Sequence, residues 1–175
     1  VLSCVVAEVY NDIFDALASL IGEENIVDID YRLDYGIKLV MPNPEECGDD
    51  LIVMCANAYR LYHRELLIVS MGTCSVICHV TAEGEFKHCI ILPGFRKYSE
   101  TLWNNASQLA EIELKYQDSL LADTTISAMN VGIYNGYVNM LGSLIEGVVK
   151  EIDKEPYIIG CGGIGRLLVP YIDLF

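Results

Sequence analysis

Acidic, hydroxyl and glycine residues suited to a phosphorylated small molecule occur at three places in the sequence. The pair Asp49-Asp50 precedes a predicted helix, Gly72-Thr73 separates two predicted strands, and the glycine-rich turn at 160–163 follows another strand. A carboxylate on a loop can act as a general base toward an attacking hydroxyl, and two adjacent acids also suit magnesium. Glycine beside a hydroxyl lets a phosphate approach the backbone. These residue types suit phosphate chemistry, but composition does not choose between that role and a structural one.

Each of these features also has a simpler structural interpretation. The Asp49-Asp50 pair suits a helix N-terminus, where free amides and the helix dipole favour carboxylates. Gly72-Thr73 suits an ordinary tight turn. The pattern Gly160-x-Gly162-x-x-Gly165 matches G-x-G-x-x-G, but only ten residues follow it, too few for an acid about twenty residues on. We therefore do not expect a Rossmann dinucleotide site.

Hydrophobic periodicity predicts the elements that position these residues. Three consecutive strands are expected at 66–71, 74–81 and 86–92, with turns at 72–73 and 83–85. Shorter strands are expected at 1–6, 26–29, 37–40 and 156–159, and helices at 8–21, 51–63, 95–110, from 124 or 125 to about 149, and from 166. Glycines at 132, 136, 142 and 147 predict close packing of the long helix, within the chain or across a dimer.

Composition excludes several classes of protein. With 53% hydrophobic and 21% charged residues the chain is globular, and its net charge of −14 argues against a nucleic-acid partner. No apolar run is long enough to span a membrane. The sequence begins with Val1 and shows no signal peptide, so we expect a cytoplasmic protein, whether processed, trimmed or partial.

The seven cysteines form no C-x-x-C pair, and several lie in apolar runs. Cysteine and histidine cluster between 74 and 89, which suggests zinc. Neighbouring residues on a strand point to opposite faces, however, so Cys78 and His79 diverge, as do His88 and Cys89. We expect mostly buried free thiols and no metal site.

Seven short motifs occur in the order found in one family. They are SCVVA (3–7), PNPEECGDDL (42–51), SMGT (70–73), GEFKHCIILPG (84–94), LAEIEL (109–114), TTISAMNVGIYNGYV (124–138) and GCGG (160–163). The chain thereby resembles the type III pantothenate kinases of the actin/sugar-kinase ATPase superfamily over nearly its whole length. The resemblance implies an α/β fold of actin-like (ribonuclease H-like) type, with a partial N-terminal lobe at 1–64 and a C-terminal lobe at 65–175.

The resemblance also implies roles for single residues. Asp50 would deprotonate the pantothenate hydroxyl in the first step of coenzyme A synthesis. The residues implied to bind pantothenate are Gly48, Asp49 and Thr125, and those implied to bind ATP are Gly72, Thr73, Gly162 and Gly163. Mg-ATP, a potassium or ammonium ion, and a homodimer are implied as well.

The sequence departs from the family pattern at several of its motifs. The D-x-G-N-T motif is absent, Ser70 stands where the family has an aspartate that binds the monovalent cation, and Leu51 replaces an arginine. His88-Cys89 replaces a glycine pair. The alternative is therefore a catalytically impaired member acting as a structural or regulatory subunit, in a heterodimer with an intact paralogue. A kinase of another small alcohol is a third possibility.

Overall fold

The computed structural model describes the whole chain, Val1–Phe175, as a succession of helices and strands. The helices are α1 (Ala7–Ile21), α2 (Asp49–Tyr62), α3 (Phe95–Asn105), α4 (Thr125–Asn130), α5 (Gly136–Glu151) and α6 (Gly165–Leu168). The strands are β1 (Lys38–Leu39), β2 (Leu66–Met71), β3 (Cys74–Val80), β4 (Glu85–Pro93) and β5 (Tyr157–Cys161). No helix is both long and apolar enough to cross a membrane.

The five strands form one sheet in the order β1-β4-β3-β2-β5. Strands β2, β3 and β4 are sheet neighbours in chain order, joined by the turns predicted at 72–73 and 83–85. β1 runs parallel to β4, with Lys38 opposite Glu85 and Leu39 opposite Phe86. Five of the six residues of β2 are buried, which explains its continuous apolar run, since a central strand is covered on both faces.

The chain divides into two compact units. The first unit comprises Val1–Leu66 and Cys78–His88, and the second comprises Leu67–Ile77 and Cys89–Phe175. The ends of β3 and β4 that flank the 83–85 turn thus belong to the first unit. The lobes predicted at 1–64 and 65–175 stay a prediction.

The core of the second unit lies between β2 and α5. Tyr137, Leu141 and Ile145 recur every four residues on one side of α5, and all three are fully buried. The Tyr137 hydroxyl donates to the Pro93 carbonyl at 2.9 Å and lies 2.7 Å from the Ser75 hydroxyl oxygen. One buried tyrosine thereby links α5 to the ends of β3 and β4.

Several predicted elements differ from those observed. The strand predicted at 1–6 is wrong, because only Leu2 forms a bridge, to Asp28, and Val5 and Val6 are exposed. The strand predicted at 26–29 is also wrong, because Asp28 forms only the single bridge to Leu2. α1 has the predicted limits within one residue, yet none of its residues is buried. The amphipathic pattern thus predicted the helix correctly but not a buried face.

The later helices are shorter or more irregular than predicted. α3 ends at Asn105 instead of 110, and α6 has four residues. Thr124 caps α4 as predicted, through reciprocal hydrogen bonds with Ser127. A π-helical segment at Val131–Asn135 then separates α4 from α5. The single long helix predicted from 124 to 149 is therefore three consecutive helical segments.

The glycines of this helical region do not serve close packing within the chain. A Cβ atom added at Gly132 or Gly147 would meet no atom within 4 Å. At Gly136 and Gly142 it would make only ordinary contacts, the nearest at 3.7 and 3.8 Å. Of the two interpretations from sequence, packing within one chain is wrong, and packing across a dimer stays a prediction.

Candidate functional site

The Gly72-Thr73 turn is held against the start of α3. The Gly94 amide donates to the Thr73 carbonyl at 3.1 Å. A Cβ atom added at Gly94 would lie 2.2 Å from the Thr73 oxygen and 2.4 Å from the Gly72 oxygen, closer than side chains tolerate. Glycine at 94 is therefore what allows the backbone of α3 to approach the turn.

The glycine-rich turn after β5 packs against the end of β2, next to the same site. Gly162 has φ +93°, a conformation that favours glycine, and its added Cβ would lie 2.3 Å from the Met71 oxygen. The Ile164 amide donates to that oxygen at 3.1 Å. The structure thus brings Gly162 next to Gly72, although the two are 90 residues apart in sequence.

A cavity of about 340 Å³ opens beside the Gly72-Thr73 turn within the second unit. Its other lining residues are Arg96, Lys97 and Glu100 of α3, and Ile164. The Lys97 ammonium pairs with Glu100 at 2.8 Å. The sequence did not single out Arg96 or Lys97, although their place directly after the Pro93-Gly94 stop at the end of β4 was a usable signal.

A second cavity of about 410 Å³ adjoins the first, because Arg96 and Ile164 line both. Its wall includes Tyr116, Tyr134 and Tyr171. Tyr116 stacks on Tyr171 with ring centroids 4.0 Å apart, and burial raises the pKa of the Tyr134 hydroxyl. Aromatic walls with a few polar groups are typical of small-molecule pockets.

The acidic pair lies in the first unit, in the first turn of α2. Gly48 is the N-cap residue, and both aspartates lie in the first turn, as the helix N-terminus interpretation predicts. The exposed Asp50 carboxylate accepts from the Leu51 amide at 2.9 Å. A Cβ at Gly48 would lie 2.7 Å from that carboxylate, so glycine leaves room for Asp50 to fold back.

Asp49 is the more enclosed member of the pair. Its burial, together with the negative charges of Asp28, Asp30 and Asp50, raises the pKa of its carboxyl. Asp50 is therefore the better-solvated carboxylate of the two. Within the first unit the structure brings Gly48, Asp49 and Asp50 together; Thr125, which begins α4 in the second unit, is exposed.

No three His, Cys, Asp or Glu side chains of the chain are arranged to hold a metal ion. The prediction of mostly buried thiols is wrong, since only Cys55 and Cys78 are buried. Sequence reasoning also missed that buried His79 pairs with Glu65, at 2.6 Å between Nε2 and Oε1. The partners are distant in sequence, so no local pattern marked them.

Comparison with known proteins identifies the family. The sequence model of the type III pantothenate kinase family matches residues 1–149 of this chain. A type III pantothenate kinase of Bacillus cytotoxicus is 32% identical over 133 residues, which are 76% of this chain and 51% of that protein. One from Syntrophotalea carbinolica is 30% identical over 79% of this chain and 56% of its own length. A third, from Syntrophus aciditrophicus, is 28% identical over 97% and 66%.

The chain thus spans about half to two thirds of the length of these curated relatives. A Campylobacter jejuni structure assigned to the Baf family of transcriptional activators has a TM-score of 0.59 at 17% identity, covering 97% of this chain and 70% of that one. That likeness concerns the fold alone. The family match covers most of the sequence and includes the loop of Asp49-Asp50 and the turn of Gly72-Thr73. This chain therefore belongs to the type III pantothenate kinase family and has its α/β, actin-like ATPase fold.

Proposed function

We propose that this protein transfers the γ-phosphoryl group of Mg-ATP to pantothenate, the first step of coenzyme A biosynthesis. The observation that carries the proposal is the meeting of two glycine turns, at Gly72-Thr73 and at Gly162, beside one cavity. Phosphoryl transfer depends on positioning and charge neutralisation more than on covalent chemistry. Two fixed backbone turns with a free hydroxyl group are suited to that task.

In the proposed site the nucleotide lies in the second unit. Gly72 lets the phosphate chain approach the backbone, and the Thr73 hydroxyl donates to a phosphate oxygen. Gly162 and Gly163 border the nucleotide, and a Cβ at Gly163 would meet nothing within 4 Å, which leaves space there. Magnesium enters as the Mg-ATP complex.

Asp50 is the proposed general base. Its carboxylate takes the proton of the pantothenate hydroxyl while the hydroxyl oxygen bonds to the γ-phosphorus and the bond to the β-phosphate oxygen breaks, releasing ADP. Gly48, Asp49 and Thr125 are proposed to contact pantothenate. A potassium or ammonium ion has no part in the proposed step, because Ser70 offers one neutral oxygen at a position where a hard cation needs several oxygen ligands.

The test compares Asp50→Asn with Asp12→Asn, which changes an exposed carboxylate on α1 in the same way. Phosphopantothenate formed from Mg-ATP and pantothenate is measured by mass spectrometry. We expect Asp50→Asn to lower turnover about 100-fold or more and Asp12→Asn to leave it unchanged. Near-normal turnover of Asp50→Asn would remove Asp50 from the role of base.

A second candidate function is that of a structural or regulatory subunit paired with an intact paralogue. Ser70, Leu51 and His88-Cys89 favour it, because each replaces a residue of the family pattern at a motif. Separate calorimetric titrations with Mg-ATP and with pantothenate distinguish the two candidates. Binding of both ligands followed by transfer supports the kinase, whereas binding of neither supports the subunit.

We also propose a cytoplasmic homodimer. Gly132 and Gly147 leave open space along the helical segments from α4 to α5, where a second copy could approach. Sedimentation velocity across a range of protein concentrations tests this proposal. A monomer at all concentrations would reject it.

A further inference from the structure

Arg96 is a cation that the fold leaves without a partner. It is the second residue of α3, its side chain is exposed, and it lines the 340 Å³ cavity beside Gly72 and Thr73. Its guanidinium makes no hydrogen bond or ion pair within the chain, although five donors are available. The charge therefore has no structural task in the folded chain.

Carboxylates that could pair with Arg96 are abundant in this protein. The chain has 11 Lys and Arg against 25 Asp and Glu, so acidic partners outnumber the cations. Glu100 lies four residues after Arg96 on α3, at a spacing that favours an ion pair. That carboxylate pairs with Lys97 instead, at 2.8 Å. Of the two cations lining the cavity, only Arg96 therefore keeps an uncompensated charge.

The Lys97–Glu100 pair also removes an obstacle to an anion. Glu100 lines the same cavity, and its bare carboxylate would repel phosphate. Paired with Lys97, it adds little net charge, so Arg96 sets the sign of the charge presented there. The remaining lining residues are Gly72, Thr73 and Ile164, none of which has an ionisable side chain.

We propose that Arg96 binds the phosphate chain of the nucleotide seated at the Gly72-Thr73 turn, an inference that rests on the proposed function for the identity of its ligand. A guanidinium stays charged at all physiological pH values and can donate two parallel hydrogen bonds to phosphate oxygens. It thereby neutralises part of the charge that phosphoryl transfer must carry. Arg96 is thus a phosphate-binding residue additional to the glycine turns.

The test is calorimetric titration of the whole chain with Mg-ADP and, separately, with inorganic tripolyphosphate. The variants are Arg96→Gln, Arg96→Lys and, as a control, Arg60→Gln, which removes an exposed arginine of α2 in the first unit. We expect Arg96→Gln to weaken both ligands about 10- to 100-fold. Arg96→Lys should recover part of the loss, because it restores the charge without the paired donors, and Arg60→Gln should bind as the parent does.

Urea unfolding separates this binding role from a purely structural one, in which Arg96→Gln would lower the midpoint of unfolding and weaken binding together. Because its guanidinium has no partner, Arg96→Gln should leave the urea midpoint of unfolding unchanged while binding weakens. A binding loss that tracks a lower midpoint would overturn the inference.

The outcomes also separate this inference from the proposed function. If the parent binds tripolyphosphate and Arg96→Gln binds it equally well, the inference is wrong and the kinase proposal is untouched. If Arg96-dependent binding occurs without any phosphate transfer to pantothenate, the inference stands and the kinase proposal fails. If the parent binds neither ligand, both are wrong.

Discussion

Replacing Gly94 by alanine tests how closely α3 must approach the Gly72-Thr73 turn. The φ angle of Gly94 is −65°, which alanine adopts freely, so the effect of the change is steric. The new Cβ would lie 2.2 Å from the Thr73 oxygen, and real Cβ contacts essentially never fall below 3.0 Å. The turn and the helix must therefore separate by about 0.8 Å or more, the difference between those two distances.

The expected loss of stability follows from two unfavourable effects and one favourable effect. Separation breaks the 3.1 Å hydrogen bond from the Gly94 amide to the Thr73 carbonyl, worth about 1 kcal/mol. Forcing a methyl group into a filled space costs about 1–3 kcal/mol. Alanine restricts the unfolded chain and returns about 0.4–1 kcal/mol. We expect a net destabilisation of about 1–3 kcal/mol.

Urea unfolding followed by tryptophan fluorescence measures this change. Trp103 is the single tryptophan, lies on α3 and packs against the core, so its emission reports the helix that moves. Asn11→Ala is the control, since it replaces an exposed residue of α1 and should stabilise that helix by no more than about 0.7 kcal/mol. A Gly94→Ala protein as stable as its parent would refute the close approach.

Three other changes test the buried polar groups and the acidic pair. Glu65→Ala leaves the buried His79 ring nitrogen and the Ala82 amide without their hydrogen-bond partner. It should lower the free energy of unfolding, measured in urea, by about 1–3 kcal/mol, and an unchanged free energy would contradict this. Tyr137→Phe should cost about 1–2 kcal/mol, and a double-mutant cycle with Ser75→Ala should show coupling, whereas additive losses would argue against the contact. The raised pKa of Asp49 means that folding favours the protonated form of its carboxyl. The protonated carboxyl contributes to stability below the unfolded pKa of about 3.9, and this contribution is lost as the pH rises through the higher folded pKa. Asp49→Asn should therefore raise the melting temperature at pH 7 but not at pH 3, and an equal effect at both pH values would argue against the shift.

The central strands could be predicted from the sequence because local chemistry decides them. β-branched and apolar residues fill β2 and β3, and Gly84 turns the chain with φ +79° as its position between two strands predicts. The capping residue Thr124 was also predictable, because a hydroxyl that accepts from a helix amide is a local interaction. The glycine turns at Gly72 and Gly162 were identified, although not their contact.

Features that depend on distant parts of the chain escaped sequence reasoning. The valines at 5 and 6 have strand propensity, but a strand needs a partner, and only Leu2 finds one. The Glu65–His79 pair forms across 14 residues of sequence, with no pattern to mark it. The place of Arg96 after the Pro93-Gly94 stop is visible in the sequence, but its lack of a partner became evident only with the cavity and the Lys97–Glu100 pair.

The division of the central strands between two compact units limits how the protein can be taken apart. The backbone passes from one unit to the other three times, after Leu66, after Ile77 and after His88. Neither unit is a continuous stretch of sequence, so no single truncation yields either of them whole. A deletion from either terminus that ends between positions 67 and 88 removes residues from both units at once. Dissection of this protein therefore has to rely on point substitutions, not on expressing one half without the other.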